Sequence, residues 1–160
     1  MKKLKLYLDA SAIGYLDEQT NLSEQKDMLS LWEDIKQGKY DVSLSEVTLN
    51  EINAIKNVDK VNTLLQYLAE ISYETITIND EINKIAALVK SNQLLSDKHE
   101  NDRLHIGCAV VAGCDILVSY NFKHLVNVKT IKGVRGIASL SGYNSIDIMT
   151  PAMFTNDEGD

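Results

Sequence analysis

Proline occurs once in this 160-residue chain, and cysteine twice. A chain so poor in proline and 44% hydrophobic does not have the composition of a disordered segment. At this length roughly 70% of the surface of the unfolded chain is expected to be buried, so the core needs no covalent staple. Cys108 and Cys114 form no CxxC pair and have no His-rich neighbours at zinc spacing. They read as small buried hydrophobes in a reducing compartment. Long apolar runs are also missing. The longest, Ile106 to Cys114, ends at Asp115 and is far short of the roughly 20 residues of a spanning helix. The basic opening MKKLKLYLDAS places Asp9 inside the would-be apolar segment. It reads as a first strand and not as a secretory signal, so a cytoplasmic location is expected.

Positive charge is in deficit, with 16 Lys and Arg against 23 Asp and Glu, a formal net charge of -7. Broad, sequence-independent binding to a nucleic-acid backbone works through Lys and Arg, and this balance argues against it. An enzyme acting on nucleic acid is still compatible, because clustered carboxylates can hold a divalent metal that attracts phosphate. There is no internal repeat, low-complexity tract or Pro/Ser-rich linker. The expectation is one domain over residues 1–150, followed by an acidic tail over 151–160 that ends in TNDEGD.

What is present is an alternation of strand and helix patterns. KLKLYL (3–8) and YDVSL (40–44) read as strands, and the β-branched ETITI (74–78) as a third. Between them, Ser23 opens a helix carrying Met28, Leu31, Trp32 and Ile35, which Gly38 stops. Ser45 caps a helix with Val47, Ile52 and Ile55. Asp59 caps another, with Val61, Leu64, Leu65, Leu68 and Ile71 on one face. Asn79-Asp80-Glu81 starts a helix through Val89, and a polar loop runs from Ser91 to Glu100. Asp102 then begins a helix apolar on most sides, ended by Gly113 and expected to be buried. DILVS (115–119) has the continuous apolar character of a strand inside a parallel sheet. VKTI (128–131) reads as a further short strand, and SGYNSIDIM (141–149) as a strand at the sheet edge. The whole implies an α/β fold with a central, mostly parallel sheet.

Ligands of such sheets collect at the carboxyl ends of the strands. Asp9 follows the first strand. Ser45 follows the second, with Glu51 one to two turns into the next helix. Asp102 and His105 stand at the start of the buried helix, and Ser119, Tyr120 and Asn121 end the DILVS strand. Carboxylates brought close together repel one another and raise each other's pKa, and a protein that gathers them usually does so for a cation. Hard oxygen donors suit Mg²⁺ or Mn²⁺, which supports phosphodiester hydrolysis. Each residue also has an ordinary role open to it. Asp9 can cap a turn, Glu51 can lie on a solvated helix face, Asp102 can offset a helix dipole, His105 can simply pack, and Asn121 can occupy a left-handed turn.

Three stretches carry a family resemblance: LYLDAS (6–11), SEVTLNEI (45–52) and NDRLHIGCAVVAGCDILVSYNFKHL (101–125). The chain resembles the PIN-domain family, close to the VapC-type toxin branch, over most of its length up to about residue 140. The resemblance implies a three-layer α/β/α fold and a metal-dependent endoribonuclease that hydrolyses RNA phosphodiester bonds. It places the catalytic, metal-holding acids at Asp9, Glu51 and Asp102, with Mg²⁺ or Mn²⁺ as cofactor. Glu46 fits the SxxTLxE pattern less well than Glu51. Many PIN domains carry a fourth acid in a T-x-D segment, where this chain reads Ser119-Tyr120-Asn121. Asn121 and Ser119 would then orient water or phosphate, with His105 beside Asp102 in support. The resemblance further implies RNA as substrate, a cognate antitoxin as the second half of a type II toxin–antitoxin pair, and a homodimer. The alternative is a weakly active or inactive PIN module that binds RNA or a protein partner. A haloacid-dehalogenase-like phosphatase is disfavoured because Ser11 stands where its second Asp belongs. A dinucleotide-binding domain is disfavoured because no GxGxxG follows the first strand.

Overall fold

The computed structural model describes residues 2–95 and 98–155. Five strands form one sheet, β1 (Leu4–Leu8), β2 (Tyr40–Ser45), β3 (Glu74–Ile76), β4 (Ile116–Val118) and β5 (Asp147–Met149), in the order β3-β2-β1-β4-β5. All four pairings are parallel. Among the described residues, seven helices lie between the strands and an eighth follows the last of them: α1 (Ala10–Gly14), α2 (Leu22–Lys36), α3 (Glu46–Asn53), α4 (Val58–Leu68), α5 (Asp80–Ser91), α6 (Glu100–Val111), α7 (Val128–Leu140) and, after β5, α8 (Ala152–Thr155). A 3-10 turn over Tyr15–Asp17 follows α1.

Both faces of the sheet are covered, as the apolar strands require. Side chains alternate along a strand, so Leu6, Leu8, Ile116 and Val118 pack with Ile13, Trp32, Ile52 and Leu64 from α1–α4. Tyr7 and Leu117 face the other way, onto Ile82, Ile106, Ala109 and Val134 from α5–α7. The fold is therefore α/β with three layers. Cys108 and Cys114 are free and buried, and burial above all pushes their thiols up to about 11 and about 12. Among the described residues, no helix is long and apolar enough to cross a membrane.

The sequence reading needs correction at several places. VKTI is not a strand. It is the first turn of α7, where Asn127 Oδ1 accepts from Thr130 N–H and Thr130, Val134, Ile137 and Ala138 make a buried helical stripe. α2 starts at Leu22 after Asn21, ahead of Ser23, and Asn57 caps α4 in place of Asp59. Leu65 belongs to no buried face; it is 37% exposed. Residues 156–160 of the expected tail lie outside the described residues. The part that is described forms α8, whose Phe154 meets Tyr40 edge to face.

α5 and α6 pack closely at Gly107, where a Cβ would stand 2.7 Å from the Ile82 carbonyl oxygen. Backbone cannot swing aside as a side chain can. Gly107→Ala is expected to cost about 1–3 kcal/mol, read as a lower urea midpoint at unchanged slope. An unshifted midpoint would mean that the helices separate freely.

Candidate active site

The chain runs from β1 outward to β2 and β3, then returns to build β4 and β5 on the other side of β1. This reversal opens a crevice beyond the carboxyl ends of β1 and β4. Asp9 ends β1 there, and Ser119 ends β4.

Asp9 is 3% exposed, and three donors converge on its carboxylate. Ser11 Oγ (2.7 Å) and Ala12 N–H (2.9 Å) donate to Oδ1, and Ser119 Oγ (2.6 Å) donates to Oδ2. The Ala12 bond makes Asp9 the N-cap of α1. Burial raises the Asp9 pKa from its ordinary value, against the pull of His105 and of the three donors. Ser11 Oγ also accepts from Tyr120 N–H (3.0 Å), and Ser119 Oγ from Asn121 N–H (2.9 Å). The two hydroxyls thus tie the loop after β4 to the loop after β1.

Glu51, in the second turn of α3, meets His105 of α6, with Oε1 2.5 Å from Nε2. His105 is 1% exposed. Its Nδ1 lies 2.6 Å from the hydroxyl of Tyr7, which is 2.8 Å from Ser45 Oγ. One set of donor directions satisfies every group: Ser45 donates to Tyr7, Tyr7 to Nδ1, and Nε2–H to Glu51. Ser45 Oγ meanwhile accepts from Val47 and Thr48 N–H as the α3 cap. Burial, above all, raises the Tyr7 pKa well above its ordinary value, so the phenol stays a donor.

Asp102 sits in the first turn of α6. Its Oδ2 accepts from Asn121 Nδ2 at 3.3 Å and lies 3.7 Å from His99 Nδ1. Burial raises its pKa, His105 lowers it, and both Asp9 and Glu51 raise it further. Asp102 therefore senses both of the other predicted acids across the crevice. The three predicted orienting residues each bond one acid, Ser119 to Asp9, Asn121 to Asp102 and His105 to Glu51. Tyr7 and Ser11 complete the network, and sequence reasoning gave them no role. Ser11 stands two residues after Asp9 in the quoted LDAS, which is the spacing of a side chain that turns back onto its own strand-end acid. Tyr7 reads locally as an ordinary strand aromatic, and nothing near it in sequence marks its hydroxyl.

Asp9, Asp102 and Glu51 are the hard oxygen donors that a divalent cation takes, and a cation would relieve the repulsion that Asp102 carries. As the side chains stand, each acid is held by protein donors. Among the described residues, no group of three or more His, Cys, Asp and Glu is gathered so as to hold a metal ion.

The raised Asp102 pKa has a measurable sign. The folded chain holds this proton more tightly than the unfolded chain does. Below the unfolded value both states are protonated and there is no penalty; as pH rises through the folded value, stability is lost. Asp102→Asn removes the penalty and is expected to raise Tm at pH 7 in EDTA by about 2–4 °C, on the order of 1 kcal/mol, with the gain fading toward pH 4. A gain that persists at pH 4 would point to packing instead of charge.

No protein-family model matches the chain, and no curated protein matches it in sequence. Among solved structures, the fold is similar to a chain of VapBC2 from Rickettsia felis, in a structure of VapBC2 bound to a DNA fragment from their promoter. The alignment is 12% identical, covers 92% of this chain and 98% of that chain, and has a TM-score of 0.52. The five-stranded parallel sheet between helical layers is consistent with a PIN-like fold.

Proposed function

We propose that the chain is a divalent-metal-dependent endoribonuclease, the VapC-like toxin half of a toxin–antitoxin pair acting in the cytoplasm. The observation that carries this reading is that Asp9 and Glu51 both act electrostatically on Asp102 at the reversal point of a sheet with a VapBC2-like fold. Asp9 and Asp102 would hold the cation, joined by Glu51. Mg²⁺ or Mn²⁺, when bound, supplies Lewis acidity to a phosphoryl oxygen and lowers the pKa of a water. The chain's own residues fix the acids. Ser11, Ser119 and Ala12 lock the Asp9 rotamer, His105 aims Glu51, and Asn121 steadies Asp102 without adding charge. Such pre-organisation is what a strand-end site needs before substrate arrives. The partners of the reading are an RNA substrate, a cognate antitoxin that covers the acids, and a second copy of the chain.

The test is Mn²⁺ titration by calorimetry together with cleavage of a labelled RNA pool. Expected are binding and Mn²⁺-dependent cleavage by the wild type, both lost in Asp102→Asn. A folded wild type that neither binds Mn²⁺ nor cleaves would support a second reading, a PIN-like module that binds RNA or a protein without cutting. That reading is favoured by the engagement of every acid with a protein donor and by the ungathered donor set.

A further inference from the structure

Two hollows meet at His99. One, of about 390 Å³, is lined by Glu51 and Asp102 along with Lys98, His99 and Glu100. The next, of about 240 Å³, is lined by His99, Lys123, His124, Asn127, Lys129 and Thr130. The His99 and His124 rings lie 3.6 Å apart, tilted by 36°, and form the wall between the hollows. The second hollow is basic in a chain of net charge -7. Lys123 and Lys129 are exposed, and among the described residues neither has a carboxylate within ion-pair distance. The far side of Glu51 differs. There a hollow of about 570 Å³ is lined by Glu46, Glu51, Glu100, Asn50 and Asn83. A polyanion crossing the acids meets cations on the α7 side and acids on the α3 side. Phe122, between Asn121 and Lys123, is 55% exposed, so its ring is open to solvent beside these residues.

We propose that the basic hollow is a phosphate subsite for single-stranded RNA, in which Lys123 and Lys129 take a phosphate next to the one at the acids and Phe122 stacks an unpaired base. The proposal rests on the nuclease reading for its substrate class. The lysines act as point charges on the backbone and are indifferent to sequence. The phenyl face supplies a stacking platform that a base held in a duplex cannot reach. RNA binding by an acidic protein is thus confined to one short track.

The probe is a fluorescently labelled single-stranded RNA of mixed sequence, bound to the full chain in EDTA and followed by anisotropy across a salt series. Lys123→Gln with Lys129→Gln is expected to weaken binding about tenfold and to reduce the slope of log affinity on log salt by about 1.4. Phe122→Ala is expected to weaken it at least about fivefold with the slope unchanged. The charge-matched control, Lys3→Gln with Lys36→Gln, alters the cavity at the amino ends of the strands and should leave binding as it was. If the double variant binds like this control while the wild type still cleaves RNA with Mn²⁺, the subsite is wrong and the nuclease reading stands. If the wild type binds through these lysines but never cleaves, the subsite stands and the nuclease reading falls. A folded wild type that does not bind the RNA in EDTA overturns the subsite, and the nuclease reading is then judged by the Mn²⁺-dependent cleavage alone.

Discussion

Asp9→Asn is expected to lower the single-turnover rate of RNA cleavage by about 10³-fold or more, several kcal/mol of lost transition-state stabilisation. Asp9 is the innermost of the three acids and the one most completely locked in place. The amide keeps one carbonyl oxygen, which can still accept from Ala12 N–H and cap α1. It loses the charge, and its NH₂ faces the Ser119 hydroxyl, whose proton must then turn elsewhere. The chain should therefore fold with a circular-dichroism melt close to that of the wild type while cleavage disappears. Cleavage at the wild-type rate would remove Asp9 from the chemistry and leave it as a helix cap.

His105→Ala should have the largest effect on stability, about 3 kcal/mol or more, because it empties a buried site and strands two polar partners at once. The Tyr7 hydroxyl loses its acceptor inside the core, and Glu51 loses the group that aims it. Partners of this kind typically change affinity or activity by 10–100-fold when removed, so cleavage should fall by about that factor even at temperatures where the variant is folded. His105→Phe separates the two effects. It refills most of the volume, recovers part of the stability measured by urea unfolding, and leaves cleavage low. Recovery of cleavage in the Phe variant would mean that the ring acts only by packing.

The α/β class, the parallel sheet and the strand-end position of Asp9 were legible because each rests on local pattern, whereas Glu51 and Asp102, on helices, stood out through the resemblance. A strand that ends in a lone acid announces itself within six residues. The cap of α3 was legible for the same reason, since Ser45 carries its own signal. VKTI misled because four β-branched and polar residues look alike in a strand and in a first helical turn; the 13 residues of α7 show the helical period only when taken together. The Tyr7–His105–Glu51 chain was illegible because its members lie on β1, α6 and α3, and only the folded sheet brings them together. The partner of each acid was hidden for the same reason. Ser119 and Asn121 stood out as strand-end residues, yet which carboxylate each would hold was set by the order of strands.

That strand order also sets a clock during synthesis. The Asp9–Ser119 bond spans 110 residues, and Ser119 N–H is in turn fixed by the Met149 carbonyl at 3.1 Å. At the roughly 5–20 residues per second of translation, Asp9 emerges on the order of 10 s before its partner exists. Until β4 and β5 dock, Asp9 has its local donors, Ser11 and Ala12, but not the Ser119 hydroxyl on its second oxygen. A nascent chain therefore lacks the assembled cluster of acids for most of its time on the ribosome, and the crevice is completed near the end, when the last parallel strands close beside the first.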